Sequence, residues 1–453
     1  MIFNSLYPST RKPFGVHRGM NGFLGLSVRG FGPLVKRLRR SSESPYHKLQ
    51  RLAAKYYLLF FPGIEIIGVT GSVGKTTTKE AIATVLAEKF RVVKSKENID
   101  PIYNIPLTIF KINPRTEKLV LEMGVDHPGD MDKYLRMAKP KIVVVTKISP
   151  AHTEFLKDIE GIVEEKGKIL ECLSEKDWAV LNADGPFIES LAKKTKAKIF
   201  YYGLSGKKAF LTAEKIQCSL ERTSFILKLA KNPWFLEQDP GSISVDFNLV
   251  GRHQVYSALA AAGVSLICGL GLSEIKKGLE KIKPSPGRMN IVKLPGSVIA
   301  IDDSYNASPA ALEALLDFVG ECDFSGRKIA VLGEMKELGK LTEAMHRKIG
   351  GLVAAKKIDY LFTLGETAKF LIEGAVDNGL PKKNTRWFDD MVEAAEEIKK
   401  LAKPGSLIFL KGSRFAHMER VLESLRGEEV SCRKITCRRY LSCLGCETPG
   451  KGL

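Results

Sequence analysis

The residues best suited to chemistry lie in IEIIGVTGSVGKTTTKE (64–80), where an apolar run meets a glycine-rich turn and then Gly74-Lys75-Thr76 opens a helical pattern. Successive backbone N–H groups in such a turn hold phosphate oxygens with help from the helix dipole. The lysine reaches the terminal phosphates, and the threonine hydroxyl meets Mg²⁺. Gly71, Ser72, Gly74, Lys75, Thr76 and Thr77 are therefore the predicted nucleoside triphosphate cradle. The strict pattern would place its first glycine at Val69, with Gly68 and Gly71 lying to either side. Glu122 follows the apolar run KLVL, and His152 follows KIVVVTKISPA. Ligands of parallel α/β sheets gather at the carboxyl ends of strands, so both are placed to approach phosphates held by Lys75 and Thr76. No guanine-specific NKxD motif is present; the nearest string, TKIS, carries Ser149 where the aspartate should be.

These residues need a scaffold of short strands joined by helices. IEIIGV, KLVLEMG, KIVVVTKI and WAVLN read as buried parallel strands, with helices near Lys75–Glu88 and Ile159–Leu173 between them. TSFILKLA and SISVDFNLV alternate, as antiparallel strands do. A second set (VIAID, KIAVLG, DYLFTLG, SLIFLKG) starts near Gly287. The expected class is α/β: a central P-loop ATPase domain with a mostly parallel sheet (61–286), then a C-terminal Rossmann-like α/β domain (287–426). A basic arm and linker helix (1–60) precede them, and a Cys-containing basic tail (427–453) follows.

The 453 residues provide material for two to four domains. Their 44% hydrophobic and 27% charged content is that of a globular protein, which excludes disorder of the whole chain. The net charge of +19 raises nucleic acid as a partner, but its distribution argues against it. Residues 1–60 hold eleven basic residues and one acidic (net +10), and the tail adds +2, leaving +7 for the body. The arm reads first as a solvated basic segment, with peripheral contact with an anionic membrane as the second reading, and nucleic acid is not expected as a partner. Apolar stretches are too short to span a bilayer, and scattered single cysteines fit a reducing, cytoplasmic setting. Cys432, Cys437, Cys443 and Cys446 follow C-x4-C-x5-C-x2-C. Four thiolates suit zinc, but the spacing matches no pair of CxxC knuckles, so a dispensable, poorly ordered tail is the preferred reading.

In order and spacing, several strings resemble the Mur ligases: TGSVGKTTTKE, LEMGVDHPGDM, AHTEFL with EEKGKIL, VLNADGP, GRHQVYSALAAA, PGRM, IDDSYNASPAALEAL, VLGEMKELGKLTEAMHRKIG and LKGSR. DDSYNASP and GEMKELG point to the member that adds D-alanyl-D-alanine to UDP-N-acetylmuramoyl-tripeptide. The resemblance implies an ATP- and Mg²⁺-dependent amide ligase of peptidoglycan precursor synthesis, working through an acyl phosphate; a monomer is expected. It implies Thr76, Glu122, His152 and Lys166 at the metal, Lys166 being carbamylated. By its neighbours alone, Lys166 would be a solvated helix lysine. Gln254, Arg288, Asp303 and Asn306 are implied on the nucleotide side, with Tyr305 beside them. Lys411, Ser413 and Arg414 would face the acceptor or simply form a loop.

Three departures from the family pattern stand out. Gln254 and Ser257 replace asparagines, Asp100, Pro101 and Asn104 occupy a segment that usually carries paired asparagines and a glycine, and residues 1–60 do not resemble the usual UDP-binding domain. A related ligase with another carboxylate substrate, or a non-catalytic nucleotide-binding protein, remains as an alternative.

Overall fold

The strand cores carry almost no polar side chains, and this decides the architecture: such strands are stable only where both sheet faces are covered. The computed structural model describes residues 45–437 and Cys443, except positions 98, 152, 206–207, 232–239 and 323. Within these, the first sheet comprises β1 (Glu65–Thr70), β2 (Val92–Lys94), β3 (Lys118–Glu122), β4 (Ile142–Val145), β5 (Trp178–Asn182), β6 (Lys198–Gly203), β7 (Leu211–Cys218), β8 (Thr223–Leu229) and β9 (Gly241–Phe247). Their order is β2-β3-β1-β4-β5-β6-β7-β8-β9. Pairing is parallel as far as β7 and antiparallel from β7 to β9. Three of these strands, β2, β6 and β7, have no counterpart in the sequence reading. They are short or partly polar and take their strand character from their neighbours.

Helices Lys75–Leu86 and Arg252–Ile267 cover one face of this sheet through Ile82, Val85, Leu86, Val255 and Leu259. The Ala258–Gly263 run is buried and lets the second helix approach closely; a Cβ at Gly263 would lie 2.9 Å from the Phe200 ring. Ile105, Ile109, Met131, Ile162 and Ile169 cover the other face from three further helices. Asp100 accepts from the Ile102 N–H at 3.0 Å and Pro101 takes the first helical position, which together start the helix Pro101–Ile109. The Asn104 amide ties that helix to Lys96. The residues that depart from the family pattern in this segment thus build its helix start.

The second sheet comprises β10 (Asn290–Leu294), β11 (Val298–Asp302), β12 (Lys328–Gly333), β13 (Tyr360–Leu364), β14 (Thr385–Phe388) and β15 (Leu407–Lys411), in the order β10-β11-β15-β12-β13-β14. All its pairs are parallel except β10–β11. Apolar clusters cover both faces. Among the described residues, no helix is long and apolar enough to cross a membrane.

Candidate active site

β1 ends at Thr70 and the turn Gly71–Gly74 delivers the chain into the helix Lys75–Leu86. Gly71 has φ 143° and Gly74 φ 85°, backbone that favours glycine. A Cβ on Gly71 would lie 1.9 Å from Thr146 Oγ1, so the turn is pressed against the end of β4. The Ser72 N–H donates to the Lys147 carbonyl at 2.8 Å, and Thr146 Oγ1 donates to the Val73 carbonyl at 2.7 Å. These contacts hold the turn open above the first helical N–H groups, which have no intrahelical acceptor.

Thr76 Oγ1 donates to Glu122 Oε1 at 3.1 Å, which brings the turn and the end of β3 together. Glu122 is held from behind: Ser95 Oγ accepts from its N–H at 2.9 Å, and Lys79 Nζ stands 4.0 Å from its carboxylate. Lys79 is fully buried and also pairs with Glu80 at 2.8 Å. Sequence reasoning missed Lys79. Its signal was position, one helical turn after Lys75 on the same face. Lys75 donates to the Ser72 carbonyl at 3.2 Å and passes over Gly124, where a Cβ would lie 3.1 Å from its Cε.

Lys166 is not a solvated helix lysine. It is 1% exposed, and its Nζ donates to the Val125 carbonyl at 3.3 Å. Burial, helped by the charge of Lys75, pushes its pKa down to about 7, against the opposing pull of Asp126, Glu165 and Asp130. Burial likewise lowers Lys75, with Arg288 adding to the effect and Glu122 and Asp126 opposing it. Glu165 accepts from the Met131 N–H at 3.0 Å, fixing the Lys166 helix against the start of the helix Asp130–Met137, and pairs with Lys168 on its own helix at 2.9 Å. His152 lies outside the described residues.

A cleft with about 200 Å³ of internal space opens beside this cluster, between the two sheets. Gly74, Thr77, Thr78, Gln254 and Ser257 line it from the first sheet's side, and Arg288, Asp303 and Lys411 from the second. Thr78 Oγ1 donates to Ser257 Oγ at 3.0 Å, so Ser257 braces the P-loop helix. Asp303 is buried and paired with Lys411. The guanidinium of Arg288 stacks 4.3 Å from the Tyr305 ring, and its buried Nε has no hydrogen-bond partner among the described residues. Asn306 is exposed and accepts from the Ala307 N–H, so the cleft forms without it. Asn182, Asp184, His253 and Tyr256 also line the cleft. Asp184 accepts from Tyr256 Oη at 3.0 Å. Their signals were present as a strand end (VLNADGP) and a helix start (GRHQVYS), but nothing local linked the two.

Two family models match in series. The Mur ligase middle domain matches residues 69–265, and the Mur ligase glutamate ligase domain matches residues 287–414. The UDP-N-acetylmuramoyl-tripeptide--D-alanyl-D-alanine ligase of Bacillus subtilis (strain 168) is 33% identical over 377 residues, which are 83% of this chain and 79% of that protein. The chain belongs to the Mur ligase family.

Solved Mur ligase structures agree in fold. A crystal structure of MurF from Acinetobacter baumannii superposes with a TM-score of 0.76 at 26% identity, covering 84% of this chain and 81% of that one. The MurF ligase from Thermotoga maritima, in complex with ADP, superposes with a TM-score of 0.74 at 26% identity over 85% and 84%. The mixed α/β architecture with large, mostly parallel sheets is therefore that of the family.

Proposed function

We propose that this chain is an ATP-dependent ligase that joins D-alanyl-D-alanine to the carboxyl end of UDP-N-acetylmuramoyl-tripeptide in peptidoglycan precursor synthesis. The observation that carries the reading is the meeting of Lys75, Thr76 and Glu122 with buried Lys166 in one cluster beside the cleft, in a chain one-third identical to a ligase of that name. Residues 61–286 form the ATP half and 287–426 the C-terminal half, flanked by the arm and the tail.

The oxygen donors of Thr76 and Glu122, 3.1 Å apart, fit a hard divalent cation. Mg²⁺ held there, with His152, would neutralise phosphate charge. Gly71, Ser72, Gly74 and Thr77 cradle the phosphates, and Gln254 and Asp303 flank the nucleoside. Lys75 sets its positive charge against the γ-phosphate. A peptide carboxylate oxygen attacks the γ-phosphorus and ADP leaves, giving the acyl phosphate. The amine of the dipeptide then attacks the acyl carbon, phosphate departs with the bonding pair, and the amine gives up a proton. Arg288 meets the phosphates from the second half, and its Nε, without a hydrogen-bond partner among the described residues, favours an anionic neighbour. Ser413, whose buried Oγ likewise has no hydrogen-bond partner among the described residues, faces the acceptor with Lys411 and Arg414. Closing the two halves around the acyl phosphate excludes water.

Lys166, with its pKa lowered by burial to about 7, offers its neutral fraction to CO₂ at Nζ and loses a proton. The resulting carbamate is an anion beside Lys75 and the metal ligands. The helix Pro45–Leu59 leaves Leu49, Leu52, Tyr56 and Leu59 exposed next to Arg51 and Lys55, which favours contact of the arm region with an anionic membrane by an otherwise monomeric enzyme. Pelleting with anionic vesicles, compared with a chain starting at Pro45 for the arm and with a Leu52→Ser, Tyr56→Ser variant for the helix, tests that contact.

The decisive assay supplies ATP, Mg²⁺, UDP-muramoyl-tripeptide and D-alanyl-D-alanine and follows ADP and pentapeptide together. Equal release of both is expected. ATP turnover only with another carboxylate would overturn the substrate assignment.

A further inference from the structure

The tail after the helix Glu419–Arg426 folds back onto that helix. Arg420, 2% exposed, donates from Nη1 to the carbonyl and the sulfur of Cys432 at 3.1 and 3.2 Å, and from Nη2 to the carbonyl of Lys434. Ile435 packs on the apolar cluster beneath the second sheet. The Cys437 N–H donates to the Phe415 carbonyl at 2.8 Å, and the Cys443 N–H to Glu419 Oε1 at 3.3 Å. The expectation of a poorly ordered tail therefore fails for its described part, since a buried guanidinium has its donors satisfied by this segment.

The folding back has a chemical result. One ligand atom each of Cys443, His417 and Glu419 lies within 4.8 Å of the others. Cys432 and Cys437 stand within electrostatic reach of Cys443, and none of the three thiols is in a disulfide. His417 is buried at φ 50°, a left-handed backbone that turns its ring toward Glu419, 3.0 Å away. A histidine ring held by a carboxylate beside sulfur donors is a recurrent arrangement at zinc.

We propose that the tail forms a structural zinc site in which the thiolates of Cys432, Cys437 and Cys443 and the imidazole of His417 hold one Zn²⁺, with Glu419 orienting the ring. Three sulfurs and one nitrogen select zinc over magnesium or calcium, and four ligands leave no open position. Closing the set requires the Cys432 and Cys437 thiols to swing onto the ion. Each thiol releases its proton to solvent as its Zn–S bond forms, and no electron is transferred.

The site also reaches toward the cleft. Glu419 accepts from Arg414 Nη1 at 3.1 Å, and the Arg414 guanidinium lies 5.5 Å from the Tyr305 ring that stacks on Arg288. Zinc would thus clip the loop carrying Ser413 and Arg414 in place, making the tail a positioning element.

The full chain, grown with zinc and purified without chelator, should carry about one zinc per molecule by plasma mass spectrometry. Cys437→Ser and Cys443→Ser should each retain less than about a tenth of that, whereas Cys218→Ser and Cys322→Ser should retain it all. Cobalt exchanged into the chain should give thiolate charge-transfer and tetrahedral ligand-field bands, both lost in Cys443→Ser. A strong chelator should lower the melting temperature of the parent chain but not of Cys443→Ser. If Cys443→Ser fails to fold, His417→Gln replaces it in every arm. Absence of metal and of a cobalt spectrum in the parent chain would overturn the proposal, as would zinc retained by Cys443→Ser or tail cysteines found as disulfides. None of these readouts depends on the ligation reaction.

Discussion

Thr153 Oγ1 donates a hydrogen bond of 3.0 Å to the carbonyl oxygen of Leu338, joining residues 185 positions apart, one before and one after the start of the second sheet. Beside it, the Glu154 N–H donates to the Glu337 carbonyl at 3.1 Å, and Glu337 adopts φ 65° to present that carbonyl. The GEMKELG string thus holds the segment that follows His152. In the proposed reaction this contact sets how the two halves meet around the phosphates.

Thr153→Val removes this donor while keeping the shape. Product formation should fall about 3- to 10-fold, as expected for one neutral hydrogen bond of about 1 kcal/mol. ADP affinity, measured by calorimetry, should stay unchanged because the P-loop is untouched. A weakened ADP affinity would show that Thr153 supports the nucleotide pocket instead.

Gly71→Ala places a methyl group 1.9 Å from Thr146 Oγ1 on backbone at φ 143°. The turn must shift away from β4, so nucleotide binding should be lost by at least about tenfold, with a stability cost of about 1–3 kcal/mol. Titration with a fluorescent ATP analogue and a urea melt check the two effects separately.

Lys79→Met leaves Glu80 and Glu122 without their buried cation. Unfolding free energy should drop by about 3–5 kcal/mol, the usual result of breaking a buried pair. Lys79→Arg should recover part of it, and denaturant unfolding measures both.

Lys166 provides a pH test. Its folded pKa of about 7 lies below the ordinary lysine value of 10.5, so the folded state disfavours the proton. Between these values the unfolded chain holds a proton that the folded chain lacks. The unmodified protein therefore loses stability as pH falls from 10.5 toward about 7, with little further change below. The same neutrality governs the carbamate: with ¹³C-bicarbonate, its carbonyl signal should grow between about pH 6 and about pH 8 and be absent in Lys166→Ala. Ligase activity should rise with that signal and fall at least about 100-fold in the variant, small carboxylic acids restoring part of it.

Much of this protein was determined by its sequence alone. The strand Glu65–Thr70, the turn with Gly71 and Gly74 and the helix from Lys75 follow from local apolar runs, glycine backbone freedom and helix-start chemistry, all acting within a few residues. The apolar strands β1, β3, β4, β5, β8, β9, β11, β12, β13 and β15 were legible for the same reason, whereas the partly polar β6, β7 and β10 were not. Short β2 and β14 were not, because their strand character comes from pairing with β3 and β13.

Tertiary structure decided the rest. It buried Lys166, which sequence neighbours alone would have left in solvent, and so lowered its pKa to about 7. It paired Asp303 with Lys411, set Lys79 behind Glu122, left Asn306 outside the cleft and folded Cys443 onto His417 and Glu419. Each of these depends on which groups lose water together. That is fixed by contacts between segments far apart in the chain, and no local pattern encodes it.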